Sequence, residues 1–89
     1  MKIILNKSYG GFEVDEKWED VLGIAELDEE ELRFSEPLIK AIESNFPVDG
    51  YSARLEVITI PSNATDFAVI NNDGFETVIY VVDGKLYRA

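Results

Sequence analysis

Cysteine and histidine, two side chains that carry much of protein chemistry, are missing from this sequence. Without cysteine the chain has no disulfide, no thiolate metal site and no nucleophilic thiol. Without histidine it lacks the commonest general base. Carboxylates, Lys7, Ser8 and Tyr9 remain as reactive groups, and no pair of carboxylates stands apart from the general excess of acids. We therefore predict that the protein is not an enzyme and needs no metal or cofactor.

Long hydrophobic runs are also missing. No apolar stretch approaches the roughly 18 residues of a membrane span, and no basic-then-apolar leader precedes a small-residue cleavage site. We therefore expect a cytoplasmic protein that does not bind membranes. The 89 residues, 46% of them hydrophobic, suffice for one domain with a real core and leave no room for a second. The predicted domain spans residues 1–89.

Basic side chains are few, and the acidic ones are concentrated in one region. The chain has 18 acidic residues against 8 basic ones, a net charge of −10. Residues 13–36, the acidic segment, hold 11 of these acids against only Lys17 and Arg33, so this segment has a net charge of −9. That sign opposes direct binding to nucleic acid or to an anionic membrane. A basic protein is the natural partner of such a surface.

The sequence also indicates which acids should face a partner. Val14, Trp18, Val21 and Leu22 recur at helical spacing and predict a buried stripe, so the acids between them should point outward. The run 28–31 consists of four consecutive acids, but it lacks the alternating oxygen ligands and the turn glycine of a calcium-binding loop. The predicted partner-binding residues are Glu16, Glu19, Asp20, Asp28, Glu29, Glu30 and Glu31.

The first twelve residues predict a buried strand followed by a glycine loop. The apolar run 3–5 is typical of a strand covered on both faces, and the glycine pair that follows allows a tight turn. Since a helix should start next, the loop could hold an anion at the helix N-terminus. The spacing of known phosphate loops is absent, however, and nearby acids have the wrong charge, so the sequence favours a structural turn. The predicted structural loop comprises Asn6, Tyr9, Gly10, Gly11 and Phe12.

Further along, the pattern predicts an α+β fold in the order β-α-α-β-β-β. Helices are expected at about 14–22 and 36–45, with a loop or a frayed helical turn between them. Strand patterns follow at 53–60, 67–71, 75–82 and 85–88, and the last three are joined by glycine turns into a β-meander. We expect one mixed or antiparallel sheet of about four to five strands, in which the first strand lies beside the strand 54–60 and both helices pack on one face.

Several motifs along the chain resemble a known family. They are Asn6-Lys7-x-Tyr9-Gly10-Gly11-Phe12, Arg33 ahead of Pro37-Leu38-Ile39, Ala53-x-Leu55-x-Val57-x-x-Ile60-Pro61 and Asp73-Gly74-x-Glu76. Together they resemble a family of small uncharacterised proteins encoded by phages, prophages and bacteria. The chain departs from the family pattern in three places: Ser8 replaces a common cysteine, one extra residue precedes Pro37, and the basic-aromatic C-terminal end is absent. Because the family has no established activity, the resemblance implies a phage-like setting and no catalytic residues.

Two functional hypotheses follow. In the first, the protein is a small acidic binding protein of phage-like type, an inhibitor that engages a basic, nucleic-acid-binding protein through residues 13–36. In the alternative, it is a structural accessory or self-assembling domain without catalytic activity, and its acids serve only solubility. The concentration of charge in one segment favours the first hypothesis, because a surface built for solubility would intersperse its charges over the whole fold.

Overall fold

The computed structural model describes all 89 residues, which form three helices and five strands. The elements are β1 (Lys2–Asn6), α1 (Glu16–Leu22), α2 (Glu29–Arg33), α3 (Glu36–Glu43), β2 (Leu55–Thr59), β3 (Asp66–Asn72), β4 (Phe75–Val82) and β5 (Lys85–Arg88). The predicted α+β class is confirmed, with one helix and one strand more than the predicted order. None of the helices is both long and apolar enough to cross a membrane.

The additional helix, α2, lies in the run of four acids where a loop or a frayed turn was expected. The Asp28 carboxylate accepts a hydrogen bond from the Glu31 amide at 2.8 Å, and the Glu31 carboxylate accepts one from the Asp28 amide at 3.1 Å. This reciprocal capping box satisfies two amides that a helix start otherwise leaves unpaired. The first turn also places three acids near the positive end of the helix dipole. Capping and charge, rather than an apolar stripe, therefore explain this short helix.

The apolar stripes of the other two helices are narrower than the sequence predicts. Val21 is 64% exposed and Phe46 is 50% exposed, although both were expected to be buried. Phe46 lies beyond the end of α3, because the chain turns through a left-handed conformation at Asn45 and leaves the helix. The Phe46 ring stacks on Trp18 at 5.4 Å between ring centroids, so the two aromatic side chains cover each other. α1 has only two turns and packs on the core through Trp18 and Leu22, which leaves Val21 on the outer side.

The strands form two sheets instead of the single sheet that was predicted. β1 pairs with β2 in antiparallel register from Lys2 opposite Thr59 to Asn6 opposite Leu55, as expected. The three strands β3, β4 and β5 form the predicted meander as a separate antiparallel sheet. Both turns of the meander have positive φ at two successive residues, the geometry that matches the twist of a hairpin.

Two buried side chains explain why the meander does not join β1 in one sheet. On the edge of β1 away from β2, the Asn6 amide donates to the Glu76 carboxylate at 2.8 Å, and the Ile4 carbonyl accepts from the Arg33 guanidinium at 3.1 Å. These are the groups that a neighbouring strand would otherwise bind. Side chains from α2 and β4 therefore take the place of a strand along this edge.

β1 separates two hydrophobic cores. Because side chains alternate along a strand, Ile4 points to one side and Ile3 and Leu5 point to the other. Ile4 packs in the larger core, with the three helices and β2, whereas Ile3 and Leu5 pack in the smaller core against Ile60 and Val78. All three β1 side chains are fully buried, which confirms the prediction of a strand covered on both faces.

Candidate functional site

An acidic cleft opens between α1 and the segment that leads into it. Its volume is about 720 Å³, and no basic side chain lines it. Six carboxylates surround this space, those of Glu13, Asp15, Glu16, Glu19, Asp20 and Glu29. The apolar part of the lining includes Phe12, Val14 and Leu32, and Tyr51 stands at the rim with 90% of its surface exposed.

Backbone contacts across the fold give this cleft its shape. Val14 forms an isolated antiparallel bridge with Asp49, the Asp15 amide donates to the Val48 carbonyl at 2.8 Å, and the Gly50 amide donates to the Glu13 carbonyl at 2.8 Å. A Cβ atom at Gly50 would lie 2.7 Å from the Cβ of Glu13, closer than real Cβ contacts come. Glycine at position 50 therefore lets the wall of the cleft approach Glu13 closely.

Four of the seven predicted partner-binding residues line the cleft, and three do not. Glu16, Glu19, Asp20 and Glu29 lie together around it. Asp28 and Glu31 bind each other's backbone in the capping box of α2, and Glu30 is exposed outside the cleft. Sequence reasoning did not select Glu13 or Asp15, although both belong to the acidic segment. Their place in the cleft follows from the contacts with residues 48–50, which no local pattern in the sequence indicates.

The environment of the cleft disfavours the charge of Glu19. Partial burial raises the pKa of Glu19, and the negative charges of Glu16, Asp20, Asp15 and Glu13 raise it further. The ionised form of Glu19 is therefore destabilised in the folded protein, and a cation placed in the cleft would relieve this repulsion. No three acidic side chains come close enough together to hold a metal ion.

Behind the cleft lies a buried polar cluster that joins β1, α2 and β4. Arg33 and Glu76 form a two-point ion pair, with Nη2 to Oε2 at 2.6 Å and Nη1 to Oε1 at 2.8 Å. Burial lowers the pKa of Arg33, but the hydrogen bonds and charge of Glu76, helped by Glu29, outweigh this effect and raise the pKa overall. The Arg33 guanidinium also lies 4.6 Å from the ring centroid of Phe12, a cation–π contact that links the cluster to the cleft.

Asn6 ties the glycine loop to this cluster. Its fully buried side chain donates to the carbonyls of Ser8 at 2.9 Å and Gly74 at 2.8 Å, and it accepts from the amide of Arg54 at 2.8 Å. The Ser8 hydroxyl also donates to the Asn6 side chain at 3.1 Å. One amide group therefore fixes the end of β1, the loop after it and the turn between β3 and β4.

The glycine loop packs tightly against its neighbours. Gly11 has φ of +92°, and a Cβ at Gly10 would collide with the backbone of Ser52. Tyr9 is 73% exposed, and its ring lies 5.4 Å from that of Phe75, while Phe12 covers Arg33. The side chains of Asn6 and Ser8 bind backbone groups and each other within the protein, which is consistent with a structural turn.

The two hairpin turns of the meander allow a matched test of this packing. Gly74 and Gly84 have similar positive φ values, +93° and +74°. A Cβ at Gly74 would lie 2.8 Å from the amide nitrogen of Gly11 and 2.8 Å from the carbonyl oxygen of Tyr9, whereas one at Gly84 would meet nothing. We expect Gly84→Ala to destabilise the protein by about 1 kcal/mol through its backbone conformation. Gly74→Ala should cost at least about 1 kcal/mol more because of the added overlap, as measured by urea unfolding. Equal losses would show that the turn at Gly74 is not held against the loop.

Comparison with known proteins yields no relative. No protein-family model matches the chain, and no curated protein or solved structure is significantly similar to it.

Proposed function

We propose that this chain is a small acidic binding protein without catalytic activity, which engages a basic, nucleic-acid-binding protein and inhibits it. The observation that supports this proposal is the acidic cleft, in which six carboxylates surround about 720 Å³. Of these, Glu29 pairs with Arg33 at 3.4 Å, and the other five form no ion pair within the chain. Long-range attraction to such a surface would speed the approach of a basic partner. The setting that we propose, the cytoplasm of a bacterial host cell, is the one that the phage-like resemblance implies.

The cleft suits lysine and arginine side chains in both shape and chemistry. Its volume lies within the range of ordinary binding pockets, about 300–1,000 Å³. Carboxylates on α1 and at the start of α2 would bind the charged ends of these side chains, while the exposed Tyr51 offers an aromatic face to their stems and cations. Binding would also relieve the repulsion by neighbouring carboxylates, which adds to partial burial in raising the pKa of Glu19. The cleft therefore combines negative charge with a cavity and an aromatic side chain that can bind individual lysine or arginine side chains of a basic partner.

The proposal predicts that reversing charge inside the cleft abolishes partner binding. Glu19→Lys/Asp20→Lys changes two acids of the cleft and should eliminate recovery of basic proteins in pull-downs from bacterial lysate. Recovery by the parent protein should fall between about 50 mM and about 0.5 M salt, because added ions screen the attraction. The fold should be retained, since exposed substitutions typically change stability by about 0.5 kcal/mol each.

The control is Glu26→Lys/Glu30→Lys, which makes the same change in net charge within the acidic segment but outside the cleft. Both residues are exposed, and neither lines the cleft. This control should recover the same basic proteins as the parent. If the two variants lost binding equally, overall charge rather than the cleft would attract the partner. If no basic protein were recovered even at low salt, the proposed function would be wrong.

A further inference from the structure

One face of the meander is left uncovered except at its end, where Tyr9 and Lys7 contact Phe75. Val78 and Tyr80 of β4 pack on the smaller core, so the alternation of a strand turns Ile79 and Val81 to the opposite face. Neither Ile79 nor Val81 belongs to either hydrophobic core. The acidic segment approaches the meander from the inner side, through the Arg33–Glu76 ion pair and the contact of Phe34 with Phe67.

The register of the sheet adds apolar residues from both edge strands to this outer face. Ala68 lies opposite Ile79, and Leu86 lies opposite Val81. Ile70 follows on the same face and is 38% exposed, while Leu86 is 68% exposed. We call this surface the meander face, and it comprises Asp66, Ala68, Ile70, Ile79, Val81, Leu86 and Arg88. A continuous apolar patch of this kind commonly marks an interaction site.

The charges on the meander face are self-complementary. Asp66 lies on β3 and Arg88 on β5, so an acid and a base flank the apolar residues at opposite edges. Neither residue takes part in an ion pair within the chain. A two-fold axis parallel to the strands would lay β3 of one copy over β5 of the other. Asp66 is level with Leu86, two residues or about 7 Å along the strand from Arg88, so the long Arg88 side chain of the second copy would reach along the strand to Asp66. Ile79 and Val81 of one copy would face the same residues of the other.

We propose that the meander face binds a second copy of this chain and forms a symmetric homodimer. A two-fold interface requires a surface that complements itself, and one acid and one base across an apolar strip meet that requirement. This face is also suited to bring two chains of net charge −10 together, because the acidic segment contacts the meander from the other side. The inference is independent of the proposed function, since it uses no residue of the acidic cleft.

The small area of the face indicates a weak dimer. Three strands spaced about 4.8 Å apart and up to about seven residues long give a face of about 300 Å² in plan. This is well below the ~800 Å² per partner of a standard stable interface, so the dimer should be weak. We expect a dissociation constant of about 10–100 µM, which makes assembly dependent on concentration.

Sedimentation equilibrium of the full chain, from about 10 µM to about 1 mM, tests the proposal. The measurement is made at physiological ionic strength, because salt then screens the repulsion between the two acidic chains. The parent protein should pass from monomer to dimer over this range. Leu86→Lys should weaken the dimer at least about 10-fold by placing an unpaired charge in the apolar strip. Ile70→Lys, on β3, provides a second variant with the same expected result. Circular dichroism verifies that each variant retains its fold.

A charge swap tests the arrangement itself. Asp66→Arg and Arg88→Asp should each weaken the dimer by up to about 5-fold, and the double variant should restore the parent affinity because the pair is re-formed with its signs exchanged. Lys85→Asp is the control, since it reverses a charge on the same strand but on the opposite face, and it should leave the dimer unchanged. A parent protein that remains monomeric to 1 mM would overturn the proposal, as would a dimer unaffected by Leu86→Lys or a swap that fails to restore affinity.

Discussion

Replacing Glu76 by Gln, or Arg33 by Met, should destabilise the protein by about 3–5 kcal/mol, because each change leaves the other member of a buried ion pair without its partner. Glu76 is 1% exposed and Arg33 is 8% exposed, so water cannot replace the missing group. A domain of this size has a total stability of roughly 5–10 kcal/mol, and the loss would leave much of it unfolded near physiological temperature. Urea unfolding followed by tryptophan fluorescence measures the effect, since Trp18 packs on the larger core.

The double variant Arg33→Met/Glu76→Leu distinguishes two contributions to the loss of stability: the cost of a buried unpaired charge and the cost of the lost hydrogen bonds. With both charges removed, the penalty for burying an uncompensated ion disappears, so this variant should be more stable than either single variant. Some loss should remain, because the Asn6 amide and the Ile4 carbonyl lose their hydrogen-bond partners. Losses in the single variants that simply added in the double variant would show that the ion pair is not a coupled unit.

Asn6→Ala should cost about 3 kcal/mol or more, the second large effect expected in this fold. The change removes hydrogen bonds to the carbonyls of Ser8 and Gly74 and to the amide of Arg54, and a buried group left without a partner typically costs about 1–3 kcal/mol. Asn6→Asp keeps the shape and the acceptor but loses both donors, so it should also destabilise. Thermal and urea unfolding measure both variants.

Asn71→Ala is the matched control for Asn6. The Asn71 side chain also binds the turn between β3 and β4, by accepting from the Gly74 amide at 2.9 Å, but this contact is exposed to solvent. Water can replace it, so the loss should stay below about 1 kcal/mol. Equal losses at Asn6 and Asn71 would contradict a central role for the buried amide.

Local patterns predicted the parts of the fold that depend on local chemistry. The meander follows from alternating apolar residues and two Asp-Gly turns, and the start of α3 follows from the Ser35 cap and the proline after it. The burial of β1 on both faces follows from its continuous apolar run. These features require only neighbours in sequence, and the sequence predicts them correctly.

The division into two sheets depends on contacts that no local pattern reveals. Arg33 and Glu76 are 43 residues apart, and each alone resembles an ordinary surface charge. In the folded protein the two side chains bind each other and the free edge of β1, and these contacts compensate their burial. The same contacts position the meander relative to β1. Sequence reasoning placed both residues in the motifs that resemble a family but assigned neither a role. Asn6 was assigned to the structural loop, without its contacts to the turn at Gly74.

The acidic cleft shows the same limit for the candidate site. The sequence locates the charge in residues 13–36, and Glu19 and Asp20 do lie in the cleft. Which other acids join them depends on how residues 13–15 pair with residues 48–50 and on which acids cap α2. Asp28 and Glu31 bind the backbone of α2 and stay outside the cleft, whereas Asp15 caps α1 and also lines the cleft. Charge counting along the chain cannot separate these two situations.

The position of β1 between the two cores has a consequence for the time at which the chain can fold during synthesis. β1 is made first, but its pairing partner β2 begins at Leu55, and the carboxylate that binds its other edge belongs to Glu76. Neither core closes before those later residues have left the ribosome, so the N-terminal strand waits with its apolar side chains uncovered. Contacts between residues so distant in sequence also slow the search for the native state. Folding of this domain is therefore expected to begin only after residue 76 has left the ribosome.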